Sequence, residues 1–550
     1  MLNNSKIGKD EIGVLILLAA FIFGAWFRIM PAWMAGFPVN DGGMFYTMIL
    51  DLQTNHYIAP LFTTYNHTSI PFAYPPLGFY IGAGISDLLS VSPLAIIRWL
   101  PGIINALSIP AFYFFAKEVL NNKFQSAFAA LVYAMIPHLT SWLSMGGGLT
   151  RSLGMLFMLL TLGYVHRVFT KSDTHSIWGA IVFGGLTVLS HTEAPIYTIA
   201  IALYIWAMKN RSLKGFLHGI LIALGVLVIA APWYGMVIHR HGMEPFLSIS
   251  QTGVHSLDAI FKVLNINILT EEPYLGLLGV LGILGIAALA AKKDYFIPLM
   301  LLVIFLAQPR SAHVMGNIPL AMAAGFFFTE VVLPGISTIQ TGSKKLTAFL
   351  VILIIYLFSN SMYYGLGLSG RHLSEPERVA MQWIEKNTPE DSKFLVITGD
   401  QNAFCDPINE WFPSLAKRES LTTVQGSEWL LGDDFPKNMA QIHSLQGCID
   451  EGVECITHES DALGKSFDYI YVSIAPTTKN CESSDQSTRT TRGSITALES
   501  TQDYSVVYRS EKVALFEKNK RQNQGCSLSF IFHSVTSTTA PMNHKGTHQK

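Results

Sequence analysis

Charged residues are scarce in this chain of 550 residues: they make up 14% of it, whereas 50% of the residues are hydrophobic. Soluble domains carry about 25% charged residues, so the composition argues against a soluble protein and predicts a membrane protein with a polar part attached. Neither sign of charge dominates, because 37 basic residues stand against 38 acidic ones. A chain without a basic surplus is not expected to bind nucleic acid.

The sequence also lacks the short motifs of several enzyme classes. No P-loop, GxGxxG, HExxH or paired CxxC motif is present, which argues against the common nucleotide-binding and zinc-binding sites. Cysteine is rare, and the five cysteines are Cys405, Cys448, Cys455, Cys481 and Cys526. Disulfides persist outside the cytoplasm, and Cys448 and Cys455 are the easiest pair to join. Since five is odd, at least one thiol is expected to be free or to pair with another chain.

Long apolar segments predict about eleven membrane spans. They cover residues 12–30, 98–116, 124–142, 149–166, 177–190, 194–208, 216–233, 275–291, 295–307, 313–333 and 346–364. Basic residues concentrate in alternate connections, which places the N-terminus in the cytoplasm and the C-terminal part outside. Residues 74–90 are short and glycine-rich, and we interpret them as dipping into or lying along the membrane. Counting them as a full span would reverse every later connection.

A change of composition near Gly370 predicts a second domain. Residues 1–369 are expected to form a transmembrane domain with a long first outer loop at 31–97, and residues 370–520 an extracytoplasmic α/β domain. Residues 521–550 are rich in Ser, Thr and His and are expected to be disordered. The predicted fold class is therefore an α-helical polytopic membrane protein with a C-terminal α/β domain outside the cytoplasmic membrane.

Four elements are predicted inside the α/β domain from its hydrophobic patterns. They are an amphipathic helix over Glu375–Asn387, strands at 394–397 and 467–474, and a hairpin over 504–516.

The first outer loop contains Asp41 on a turn made of Pro, Asn and Gly residues. Behind it, apolar residues recur with the spacing of a helix stripe. The stripe consists of Met44, Phe45, Met48, Ile49 and Leu52. We expect this helix to lie in the membrane interface. Asp41 is then either the N-cap of that helix, a role that Asp fills often, or a catalytic carboxylate.

Other polar side chains stand at span ends on the same predicted outer face. These are Arg98, Arg151, His191, Glu193, Arg310 and His313. Arg151 follows Met145-Gly-Gly-Gly-Leu-Thr, at a helix N-terminus that faces outward. The free N–H groups, the glycines and the guanidinium together predict an anion site suited to a lipid phosphate. The alternative is a flexible turn with a snorkelling arginine.

Two further stretches on this face leave their roles open. Arg310 and His313 either bind the phosphate of a donor or anchor two spans. Glu193 either complements the dipole of the helix that begins near Pro195 or, with His191, contacts substrate. Were that helix end unwound, His191 and Glu193 could join Asp41 around a divalent metal ion such as Mg²⁺ or Mn²⁺.

These features resemble the C-type (GT-C) superfamily of polytopic membrane glycosyltransferases, which includes protein O-mannosyltransferases, the aminoarabinose transferase and the oligosaccharyltransferase catalytic subunit. The resemblance rests on the Asn40-Asp41-Gly-Gly loop, on Tyr74-Pro-Pro-Leu, on Arg98 at the second span and on an extracytoplasmic C-terminal domain. It implies a lipid-phosphate-linked sugar donor and an essential role for Asp41. The chain departs from the family at Gly146–Gly148 and Arg151, where a second acidic residue is common, and it lacks a Trp-Trp-Asp-Tyr-Gly motif.

The residues and the resemblance together predict a glycosyltransferase. It would move a sugar from a polyprenyl-phosphate-linked donor to an acceptor lipid, glycan or protein on the extracytoplasmic face. Asp41 would act as the base and Arg151 would hold the phosphate. The alternative is a transporter or flippase for a lipid-linked or anionic substrate, but the sequence shows no clear internal repeat and its polar groups cluster at one face.

Overall fold

A computed structural model of the chain describes residues 8–251, 276–338, 343–400, 402–449, 451–474 and 492–519. The predicted tail at 521–550 lies outside the described residues, and so do Cys481 and Cys526. Cys448 and Cys455 form the predicted disulfide, and Cys405 is disulfide-bonded as well.

Helices make up the described part of the chain up to Ser369. They are α1 (Lys9–Ala35), α2 (Gly43–Thr54), α3 (Leu77–Leu89), α4 (Pro93–Leu120), α5 (Lys123–Met135), α6 (Pro137–Ser144), α7 (Gly148–Lys171), α8 (Ser176–Ser190), α9 (Ala194–Lys209), α10 (Leu213–His241), α11 (Glu244–Gln251), α12 (Leu277–Ala291), α13 (Phe296–Ala307), α14 (Ala312–Met315), α15 (Asn317–Phe327), α16 (Leu333–Thr338) and α17 (Ser343–Ser369). Every predicted span falls on one or more of these helices.

Six helical segments of the described chain are long and apolar enough to cross a membrane, and five apolar helices of 10–17 residues accompany them. The six are Lys9–Ala35, Pro93–Leu120, Gly148–Lys171, Leu213–His241, Ala312–Ile336 and Val351–Ser369. The protein is therefore a multi-pass membrane protein, while the count of about eleven spans stays a prediction.

Two arginines fix the end of α1, which leads into the Asp41 loop. Arg28 is fully buried, and its guanidinium donates hydrogen bonds to Oδ1 of Asn105 (3.1 Å) and to the carbonyl oxygen of Ala134 (2.9 Å). Nε of Arg98 donates to the carbonyl oxygen of Ala32 (2.9 Å). Because a charge inside a helix bundle is costly unless it is hydrogen-bonded, these contacts join α1 firmly to α4 and α5.

The C-terminal part is built around a five-stranded sheet. Its elements are α18 (Glu375–Asn387), β1 (Lys393–Ile397), α19 (Pro407–Ala416), β2 (Glu419–Ser420), α20 (Phe435–Gly447), α21 (Val453–Ala462), β3 (Tyr469–Ser473), α22 (Arg492–Glu499), β4 (Tyr504–Arg509) and β5 (Val513–Lys518). The strand order is β2-β1-β3-β5-β4. β1 pairs in parallel with β2 and β3, whereas β5 pairs antiparallel with β3 and β4.

The predicted C-terminal elements are confirmed. The helix runs over Glu375–Asn387 as expected, and Oε2 of Glu377 accepts a hydrogen bond from the N–H of Ser374 (2.7 Å) at its start. The predicted hairpin is β4 and β5, and the chain turns between them at Ser510-Glu511-Lys512.

The apolar stripe of α2 exists, and it packs against protein, whereas the sequence predicted that it would face the membrane interface. Met44, Phe45, Met48, Ile49 and Leu52 are between 0% and 6% exposed. They share one core with residues of α3, α4 and the C-terminal domain. Lipid and protein both remove apolar groups from water, so the stripe alone could not distinguish the two.

This shared core places the first outer loop and the C-terminal domain on one side of the membrane. We expect a cysteine introduced at Lys437 to react with a membrane-impermeant thiol reagent in intact cells, and one at Lys293 to react only after permeabilisation. Both positions are exposed, so accessibility in the folded protein does not limit labelling. The unsubstituted protein supplies the background, and labelling of position 293 alone in intact cells would contradict this topology.

Candidate active site

Asp41 lies on the loop between α1 and α2 and is held from across the chain. Its Oδ1 accepts a hydrogen bond from the main-chain N–H of Gly147 (2.8 Å), and its Oδ2 accepts one from Nη1 of Arg151 (3.0 Å). The residue is 8% exposed. Gly42, not Asp41, occupies the N-cap position of α2, and no side chain caps that helix from this position. The N-cap interpretation is therefore wrong, and the carboxylate is directed toward α7.

The glycines before α7 serve Asp41 rather than the approach of a ligand. A Cβ on Gly146 would lie 1.9 Å from the carbonyl oxygen of Asp41, and a Cβ on Gly147 would lie 2.4 Å from its Oδ2. Gly42, with φ of +119°, has a backbone conformation that favours glycine and packs against Gly146. Only residues without a side chain allow the two loops to come this close.

Arg151 is fixed by more than its ion pair with Asp41. Its guanidinium lies over the ring of Trp142, 5.2 Å from the centroid, and Nη1 also donates to the carbonyl oxygen of that residue (3.4 Å). The side chain is 29% exposed, and its guanidinium is held between Asp41 and Trp142. Within the described part of the chain, its hydrogen bonds all use Nη1, which leaves Nε and Nη2 for a ligand.

Three of the remaining predicted residues are neighbours. Oε2 of Glu193 accepts a hydrogen bond from Oγ of Ser311 (2.6 Å), and its Oε1 lies 3.9 Å from Nε of Arg310. Nδ1 of His191 accepts one from the N–H of Glu193 (3.3 Å). Burial lowers the pKa of His191 to about 4, so its imidazole is neutral at neutral pH.

His313 lies on the short helix α14, and its carbonyl oxygen accepts a hydrogen bond from Nδ2 of Asn317 (3.0 Å). Its role as a phosphate ligand stays a prediction.

The described residues contain no group of three His, Cys, Asp or Glu side chains that could hold a metal ion. Among these residues, Asp41, His191 and Glu193 do not come together as such a group, and the metal site stays a prediction. Their oxygen atoms have other partners: Arg151 pairs with Asp41, whereas Ser311 and Arg310 contact Glu193.

The C-terminal domain adds a carboxyl group that the sequence reasoning missed. Oε1 of Glu410, in α19, accepts hydrogen bonds from the N–H groups of Gly42 (3.2 Å) and Met44 (3.3 Å). Burial, together with the neighbouring charge of Asp41, raises the pKa of Glu410 to about 8. A local sequence pattern could not pair Glu410 with the Asp41 loop, because the two are more than 360 residues apart in the chain.

A second acidic residue of this domain faces the cations of the site. Glu428 lies on the turn Ser427–Trp429, and the ring of Trp429 is 5.6 Å from that of Tyr74. Burial raises the pKa of Glu428, while Arg310 and Arg151 act in the opposite direction. The site thus combines the Asp41–Arg151 pair with Arg310, Glu193 and Glu428 next to the C-terminal domain.

The helical fold is multi-pass, and polar groups gather between loops at one end of its helices and the C-terminal α/β domain. These features define a polytopic membrane protein with a covered site at one face. Residues 73–235 match the family of dolichyl-phosphate-mannose-protein mannosyltransferases. No curated protein sequence matches the chain.

Several solved structures have a similar fold. One is the Archaeoglobus fulgidus oligosaccharyltransferase in complex with Zn and sulfate, at 16% identity and a TM-score of 0.52 over 84% of this chain and 68% of that one. ArnT from Cupriavidus metallidurans bound to undecaprenyl phosphate has 14% identity and a TM-score of 0.52. The match covers 92% of this chain and 97% of that one. The mycobacterial arabinofuranosyltransferase AftD has 12% sequence identity and a TM-score of 0.53. The match covers 94% of this chain and 40% of that one.

At these identities the solved structures establish the fold. Together with the family match, they confirm the resemblance to the GT-C glycosyltransferases.

The buried carboxyl groups predict how stability depends on pH. The pKa of Glu410 is raised to about 8, and burial beside Asp406 raises that of Asp400 to about 7, whereas unfolded carboxyls titrate near about pH 4. Between these values the folded protein binds more protons than the unfolded one, so the free energy of unfolding should fall as pH rises. We expect Glu410→Gln to flatten the decline in melting temperature between about pH 5 and pH 8. An unchanged slope would contradict the pKa shift.

Proposed function

We propose that this protein is a membrane glycosyltransferase that takes a sugar from a polyprenyl-phosphate-linked donor. The observation that carries the proposal is the Asp41 carboxylate, fixed by Arg151 and Gly147 at the N-terminus of α7. The GT-C fold, shared with a structure bound to undecaprenyl phosphate, supports it. The acceptor is a hydroxyl-bearing lipid, glycan or protein on the extracytoplasmic side of the cytoplasmic membrane, where the C-terminal domain also lies.

The reaction is a single displacement. Asp41 takes the proton of the acceptor hydroxyl as its oxygen attacks the anomeric carbon. The bond between that carbon and the phosphate oxygen breaks, and its electron pair leaves with the lipid phosphate. Attack from the side opposite the phosphate inverts the anomeric configuration.

The leaving phosphate needs positive charge more than it needs an acid. Nε and Nη2 of Arg151 supply it, because a planar guanidinium fork suits phosphate oxygens. Arg310 and His313 extend this region on the neighbouring connection, and Glu193 orients Arg310 through their contact. Glu428 and Glu193 offer acceptors to sugar hydroxyls.

The most direct test incubates the purified protein with a panel of polyprenyl-phosphate sugars and follows release of the lipid phosphate. Release that depends on an added acceptor is expected for one or a few of the sugars. Movement of intact lipid-linked sugar across a vesicle membrane without release would instead favour the flippase alternative.

Asp41→Asn tests the base. Asn keeps one oxygen for the N–H of Gly147, so the protein should fold, but it cannot take a proton. We expect turnover to fall about 10²-fold or more, in the range of general-base contributions, with donor binding retained. The matched control is Asp51→Asn, because Asp51 is a buried carboxylate of the adjoining helix α2 that accepts hydrogen bonds from Thr63 and Thr64. That control should affect melting temperature more than turnover. A stable Asp41→Asn protein with full activity would refute the assignment.

Arg151→Lys tests the phosphate site. Lysine keeps the positive charge near Asp41 but loses the planar fork. We expect the apparent donor KM to rise about tenfold or more, the cost of a lost charge-assisted hydrogen bond. Arg240→Lys is the control, since Arg240 donates to the carbonyl oxygen of Ala59 and its hydrogen bonds do not involve Asp41. Unchanged donor binding and turnover in Arg151→Ala would exclude a phosphate role.

A further inference from the structure

Glu410 is a buried carboxyl group beside Asp41 to which the proposed chemistry gives no role. It is 3% exposed. Its Oε1 accepts from the N–H groups of Gly42 and Met44, at the first turn of α2. The first N–H groups of a helix have no partner within the helix, and a side-chain acceptor there stabilises the helix start. Glu410 thus supplies, from the C-terminal domain, the cap that Asp41 does not provide.

Other atoms of α19 fix the same loop. Nε1 of Trp411 donates to the carbonyl oxygen of Asn40 (3.0 Å), and Oγ of Ser414 donates to that of Gly43 (2.7 Å). A Cβ on Gly43 would lie 2.5 Å from the carbonyl oxygen of Glu410. The position of residues 40–44 is therefore fixed by their contacts with α19.

We propose that Glu410 is a positioning residue for Asp41: it holds residues 40–44 so that the Asp41 carboxylate meets Gly147 and Arg151. This inference rests on the proposed role of Asp41 as the base. Loss of Glu410 would leave two buried N–H groups without an acceptor, which is costly enough to make the loop relax. A displacement of about 1 Å at a reacting group can lower a rate about 10²-fold.

The groups around Glu410 indicate which substitutions are informative. Asp41 faces it from the loop, Tyr65 from the turn Tyr65–His67 and Glu428 from the turn Ser427–Trp429. Among the described residues, its Oε2 has no hydrogen-bond partner. Glutamine therefore keeps the acceptor oxygen that Gly42 and Met44 need, whereas alanine removes it. Glu377→Ala is the matched control, because Glu377 is a buried carboxyl residue of the same domain whose hydrogen bond goes to the N–H of Ser374 at the start of α18 and not to residues 40–44.

The first experiment compares these variants by kinetics and by amide hydrogen exchange. Glu410→Ala should lower kcat about 10- to 10²-fold with little change in donor KM, and Glu410→Gln should restore most of the loss. Peptides within residues 37–52 should exchange faster in Glu410→Ala only. Equal loss of kcat in Glu377→Ala would mean that the whole domain is destabilised and would overturn the proposal.

A double-mutant cycle then tests whether Glu410 acts through Asp41. On the Asp41→Asn background, Glu410→Ala should cause no further loss of residual turnover, because the group it positions is already gone. Multiplicative losses would overturn the positioning role. If Asp41→Asn proved fully active, the proposed base would fail. Hydrogen exchange of residues 37–52 would still decide the structural part, since unchanged exchange in Glu410→Ala would overturn it.

Discussion

The ion pair between Asp41 and Arg151 depends on the close approach of two loops, and the rest of the site is arranged around that approach. The carboxylate reaches α7 only because Gly146 and Gly147 have no side chains to collide with it. The outcome is a charged group with a fixed direction at a helix N-terminus. A preorganised carboxylate and a preorganised cation are what a displacement at a phosphate-linked sugar requires, because neither has to reorganise as charge develops.

The C-terminal domain is part of this arrangement and not only a cover over it. Glu410 caps α2, Trp411 bonds to the main chain of Asn40, and Glu428 faces the arginines of the membrane domain. The hydrophobic core shared by α2 and the sheet domain keeps these contacting residues in place. A sheet domain joined in this way makes the geometry of Asp41 depend on residues from both ends of the chain.

The acidic groups of the site differ in what surrounds them. Asp41 and Glu193 each lie next to an arginine, whereas Glu410 lies next to Asp41 in a buried position that raises its pKa. The first two thus have a defined cationic partner each. Burial makes the third a hydrogen-bonding group for the main chain. Three carboxyl groups of one site thus have different partners: Asp41 pairs with Arg151, Glu193 contacts Arg310, and Glu410 caps α2.

The sequence by itself determined the features that depend on local pattern. Apolar runs located the helices, alternation and turn residues located β1, β3 and the β4–β5 hairpin, and short spacing identified the Cys448–Cys455 disulfide. It also selected Asp41, Arg151 and Glu193, because charged residues at span ends are unusual. Only the tertiary structure decided that α2 packs on protein, that Asp41 pairs with Arg151 and that Glu410 belongs to the site. These are contacts between residues far apart in the chain, and a local pattern carries the identity of a side chain but not of its distant partner.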